Sequence, residues 1–64
     1  MKNLAFLRKQ RGLTQKILAK EFVVELNTVY KWEKGLIAPS IETAQKLAAF
    51  FGVPVDELLK EIDF

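Results

Sequence analysis

The chain has 64 residues, half of them hydrophobic, and carries ten basic against eight acidic side chains with neither cysteine nor histidine. That length allows one small domain burying only about 60% of its unfolded surface, and the missing residue types exclude a disulfide framework and the usual zinc sites. No run reaches the roughly 18 apolar residues of a membrane span and no apolar block marks a signal peptide, which predicts a cytoplasmic protein without membrane contact, metal or cofactor.

Glycine and proline punctuate the chain at Gly12, at Gly35 with Pro39, and at Gly52 with Pro54. Between them the apolar residues recur at helical rather than strand-like spacing. Leu4 and Leu7 lie three apart and Gly12 follows as a C-terminal stop, predicting helix one over 2–11. Thr14 is a good N-cap, because its hydroxyl accepts a free backbone N–H, and Leu18, Ala19 and Phe22 mark one face of helix two. Asn27 through Lys34 forms a third stretch, with Val29 and Trp32 inward and Gly35 ending it. Ser40 caps a fourth, whose stripe of Ala44, Leu47, Ala48 and Phe51 ends at Gly52. Pro54 suits the start of a fifth, with Val55, Leu58, Leu59 and Ile62 as its inner face. Five short helices with tight links predict an all-α domain.

The charge is divided unevenly. Residues 1–34 hold eight bases against three acids, a net of +5, and residues 35–64 hold two against five, a net of −3. The asymmetry fits a polyanionic partner for the basic half, or two solvated faces that simply differ. Catalysis is not expected. There is no Gly-rich phosphate loop, and Asp56 and Glu57, being adjacent, point about 100° apart on a helix and read as favourable charges in its first turn.

From Leu13 the chain reads LTQKILAKEFVVELNTVYKWEKG, and from Ala38 APSIETAQKLAAFFGVPVDELL. LTQ, Ala19, the Trp-Glu-x-Gly run, the Pro-Ser pair and Gly-Val-x-x-Asp-Glu-Leu-Leu fall at mutually consistent spacings, over nearly the whole length. In these motifs the chain resembles the Cro- and phage-repressor-like helix-turn-helix family, the XRE type. The resemblance implies a compact five-helix, lambda-repressor-like bundle forming a single domain over 1–64, with the helix-turn-helix at about 14–34. It implies a sequence-specific DNA-binding regulator, a repressor whose third helix enters the major groove, working as a homodimer on double-stranded DNA with no small-molecule ligand. Base edges would then meet Glu25, Leu26, Asn27, Thr28 and Lys31, since Asn matches adenine and Lys donates to guanine. Phosphates would meet Thr14, Gln15, Lys16, Tyr30 and Lys34, helped by the N-terminal end of helix two. Arg8 would pair with Glu33, with a phosphate contact as its second role, while Lys9 and Arg11 stay solvated.

Three departures from the family pattern bear on function. Val23 stands where relatives have glycine, so either helix two runs longer or the turn takes another conformation, because a β-branched residue at positive φ is an outlier. Glu25 and Leu26 replace a small cap and a polar reader: Glu25 is placed to accept from a cytosine amino group, and Leu26 either touches a thymine methyl or packs inward. Leu36, Ile37 and Ala38 replace basic residues, which predicts a shallow salt dependence. Phe6, Phe50, Ile62 and Phe64 exceed what the core needs and are candidates for a dimer surface. The alternative function is a helix-turn-helix scaffold that acts through protein contacts, as an antitoxin-like or anti-repressor partner.

Overall fold

Each helix begins and ends where local chemistry permits. The computed structural model describes residues 1–60 and holds α1 (Lys2–Gln10), α2 (Gln15–Glu21), α3 (Leu26–Lys34), α4 (Ile41–Phe51) and α5 (Val55–Leu58), with no strand among the described residues. The Thr14 hydroxyl accepts from the Ile17 N–H at 3.1 Å and the Ser40 hydroxyl from the Thr43 N–H at 3.2 Å, each satisfying a donor that has no partner inside its helix. Asp56 and Glu57 fill the first turn of α5, where the helix dipole favours negative charge.

α1 through α4 all end in one way. The residue at positive φ donates its N–H three residues back and the next residue donates five back: Gly12 to Lys9 and Leu13 to Arg8, Val23 to Lys20 and Val24 to Ala19, Gly35 to Trp32 and Leu36 to Lys31, Gly52 to Ala49 and Val53 to Ala48. This is the Schellman pattern, which satisfies the last free carbonyls of a helix. Glycine adopts it at little cost. Val23 adopts it too, at φ 54°, so α2 is not lengthened and the turn keeps the glycine conformation, contrary to both sequence expectations.

The core is the apolar stripe of each helix brought together. Leu4, Leu18, Val29, Leu47 and Leu58 are fully enclosed, with Ala19, Trp32, Ala44, Ala48 and Phe51 nearly so. Leu7, Phe22 and Val55 pack against this set half-buried. α3 packs between α1 and α2, and α5 bridges α1 and α4. Four residues are too few for a helix to be stable alone, so α5 depends on Leu58 in the core and on buried Asn3, whose side-chain amide donates to the Glu57 carbonyl. Leu59 follows the end of α5 and is exposed rather than inward, because the helix stops one residue before it. Ile62 and Phe64 lie outside the described residues.

Two further expectations change. Phe50 is not spare: its ring stands edge-on to Phe22 at 5.5 Å and to Phe51 at 5.0 Å, which places it within the fold rather than on a docking face. Nor is Arg11 merely solvated. Its guanidinium donates to the Phe50 carbonyl at 3.2 Å and lies 5.6 Å from the Phe51 ring, so it covers the C-terminal end of α4 with a cation where the dipole favours one.

Candidate nucleic-acid interface

α3 has two unlike faces. Val29, Trp32 and Glu33 are buried. A buried carboxylate needs a partner, and Arg8 of α1 supplies it: Nε donates to Oε2 of Glu33 at 2.6 Å and Nη2 to Oε1 at 3.1 Å, while Nη1 donates to the Leu13 carbonyl at 2.8 Å. The two-pronged geometry suits a guanidinium. With Arg8 buried and its nitrogens engaged, a phosphate contact is closed to it.

Gln15, in the first turn of α2, joins the same network. Its Nε2 donates to Oε1 of Glu33 at 2.9 Å, so Glu33 receives side chains from both α1 and α2. One amide hydrogen of Gln15 is thereby committed, and the side chain is half-buried. Arg8, Glu33 and Gln15 thus lock the angle between the two helices of the motif from inside.

The outer face of α3 meets α2 at a groove of about 320 Å³ lined by Gln15, Leu26, Asn27 and Tyr30. Leu26 is 49% exposed, which decides between its two readings: it is not a core residue. Its exposure follows from its place at the first position of α3, after Glu25, whose side chain makes no cap hydrogen bond. Asn27 and Lys34 are exposed, and Thr28 and Lys31 are half-buried at the margin. Tyr30 is 42% exposed, with the Lys34 ammonium 5.9 Å from its ring centre. On α2, Thr14 and Lys16 are exposed beside half-buried Gln15. The structure therefore gathers Gln15, Leu26, Asn27 and Tyr30 around one groove, with Lys34 against Tyr30, and leaves Arg8 and Glu33 beneath. The Gln15–Glu33 link was not foreseen; the only sequence signal for it was the shared motif that carries both residues.

Beyond α3 the chain runs through Leu36 and Ile37 to Ile41, an apolar run on the surface, with Leu36 65% and Ile41 79% exposed. Among the described residues no helix is long and apolar enough to cross a membrane.

Comparison with known proteins identifies the family. The family model described as helix-turn-helix matches residues 4–58. The chain is 44% identical over 55 residues to the cryptic phage CTXphi transcriptional repressor RstR of Vibrio cholerae, covering 86% of this chain and 50% of that protein. It is 42% identical over 59 residues to the HTH-type transcriptional regulator MJ0272 of Methanocaldococcus jannaschii, covering 91% of this chain and 89% of that one. To the HTH-type transcriptional activator BcrR of Enterococcus faecalis it is 40% identical over 53 residues, 83% of this chain and 26% of that protein. It thus spans half the length of the first relative, a quarter of the third and most of the second. None of these names is that of an enzyme. No solved structure matches significantly. With the motif spacing, the five helices and the match over 4–58 in agreement, the chain belongs to the helix-turn-helix family, in its Cro-like, XRE-type branch.

Proposed function

We propose that the chain is a sequence-specific DNA-binding regulator of transcription, a cytoplasmic repressor that occupies an operator with α3 in the major groove. The observation that carries this reading is the groove shared by Gln15 of α2 and Leu26, Asn27 and Tyr30 of α3, held rigid from below by Arg8 and Glu33. A helix edge with an exposed amide and flanking lysines matches what a base edge between two phosphate strands requires. Glu25, Leu26, Asn27, Thr28 and Lys31 face the bases in this reading. Thr14, Gln15, Lys16 and Lys34 face phosphates, with Tyr30 at the boundary.

The protein acts as a homodimer. One copy measures 25 × 24 × 23 Å, too small to reach two successive major grooves about 34 Å apart on one side of a duplex. Two copies reach both. The exposed apolar run of Leu36, Ile37 and Ile41 is the material for their contact. A segment without basic residues at this point also limits the number of phosphates neutralised, so the log–log salt slope should be shallow, at about 0.9 per phosphate.

The test is a mobility-shift titration on random-sequence duplex at low salt, followed by selection from a random pool. Weak binding to the random duplex and a twofold-symmetric selected site are expected. No binding at all would favour a protein partner instead. On the selected site Lys31→Ala should relax base preference, whereas Gln15→Ala should weaken binding nearly equally on all sequences. Sedimentation with a half-site pair should give two copies per duplex; a monomer with and without DNA would remove the dimer.

A further inference from the structure

We propose that the groove beside α3 recognises thymine through its 5-methyl group, with Leu26 and Tyr30 forming the seat and Asn27 reading a neighbouring adenine. The inference rests on the DNA-binding reading and adds to it which base the site prefers.

Leu26 and Tyr30 are four residues apart on α3, so their side chains stand one above the other on the same face. Both are partly exposed although neither supplements the core, and both line the groove. Two amides, Asn27 on α3 and Gln15 on α2, line the same groove. The groove is therefore an apolar strip with hydrogen-bonding groups beside it, and Gln15 on its α2 side is tied to Glu33 at 2.9 Å.

Among the base edges of the major groove only thymine carries an apolar group. Guanine would set its N7 and O6 acceptors against leucine, leaving them without a partner once water is expelled, and cytosine carries only a hydrogen at C5, so it leaves the seat unfilled. Thymine fills the seat with its methyl, while its O4 acceptor lies toward the hydrogen-bonding edge of the groove. Adenine presents an acceptor and a donor together, the pair that an Asn amide matches with two hydrogen bonds. Tyr30 thereby moves from the phosphate side to the base side. Its ring supplies apolar surface, and the Lys34 ammonium over that ring keeps a cation at the strand edge.

The test removes the methyl and nothing else. Duplexes selected by the protein from a random thymine-containing pool are resynthesised with deoxyuridine in place of thymine, and both forms are titrated with the wild-type chain, Leu26→Ala and Tyr30→Ala. Burying one methyl-sized group corresponds to about a fourfold change in affinity. The wild type should bind the uracil form about fourfold more weakly for each methyl seated, and this ratio should fall toward one in Leu26→Ala. Equal affinity of the wild type for both forms would overturn the proposal while leaving DNA binding intact. So would a ratio that persists in both variants, because the methyl would then act through duplex shape or at another residue. Failure to bind either pool at low salt would instead remove the DNA-binding reading itself. Circular dichroism melts of both variants establish that the ratios come from folded protein.

Discussion

The turn between α2 and α3 and the three glycine turns of the molecule share one hydrogen-bond pattern but not one residue type. Gly12, Gly35 and Gly52 sit at φ 68–74°, and Val23 sits at 54° with 90% of its surface exposed. A β-carbon added at any of the three glycines would meet nothing within 4 Å. The four positions thus differ in backbone strain alone, free of steric contacts. A left-handed residue with a side chain costs about 1–2 kcal/mol, and such strain persists only where the surroundings over-determine it. Here the surroundings are the Arg8–Glu33–Gln15 network and the core contacts of Leu18, Ala19 and Val29, which fix α2 against α3 on either side of the turn.

The clamp and the strain can be set against each other by substitution. Glu33→Ala has the largest expected effect, a loss of about 3–5 kcal/mol, since it strands the Arg8 guanidinium in the interior; urea unfolding measures it. Gly52→Val recreates the valine turn at the end of α4, with an expected loss of about 1–2 kcal/mol. A loss much larger than that would mean the positions are not equivalent. Val23→Gly is the mirror experiment. It relieves the strain but adds the unfolded-state freedom of glycine, for a net gain of about 1 kcal/mol in stability. Thr14→Ala, at the other end of α2, should cost about 1 kcal/mol by removing the cap on the Ile17 N–H. Asn27→Ala should change stability by less than about 0.5 kcal/mol, being exposed on α3, while reducing discrimination on a selected DNA site.

Much of this was legible before the structure. The boundaries of the first four helices came within a residue or two because glycine, threonine and serine act locally: Gly12, Gly35 and Gly52 permit positive φ, and Thr14 and Ser40 cap with their own hydroxyls. Core residues such as Leu18, Val29, Trp32 and Leu47 followed from helical period. What escaped depends on residues far apart in the chain. The family pattern marked Val23 as standing at a glycine position, but that it keeps the left-handed conformation depends on a clamp built by Arg8, Glu33 and Gln15 from three helices. Arg11 finds its acceptor 39 residues away at Phe50. Leu59 read as inward by period, but α5 ends before the period can be used. At the interface, the motif pointed to α3, whereas Leu26 standing outward and Gln15 being tied to Glu33 required coordinates.

The bond from Asn3 to the Glu57 carbonyl has a consequence for how the protein comes into being. It joins positions 54 residues apart, and within that span Arg8 and Glu33 pair α1 with α3 across 25 residues. In chain order α1 precedes both helices that cover it, α3 and α5, and synthesis proceeds at about 5–20 residues per second. α2 and α3 can associate early, being neighbours. α1 must wait, and the domain closes only when almost the whole of the chain described here has left the ribosome.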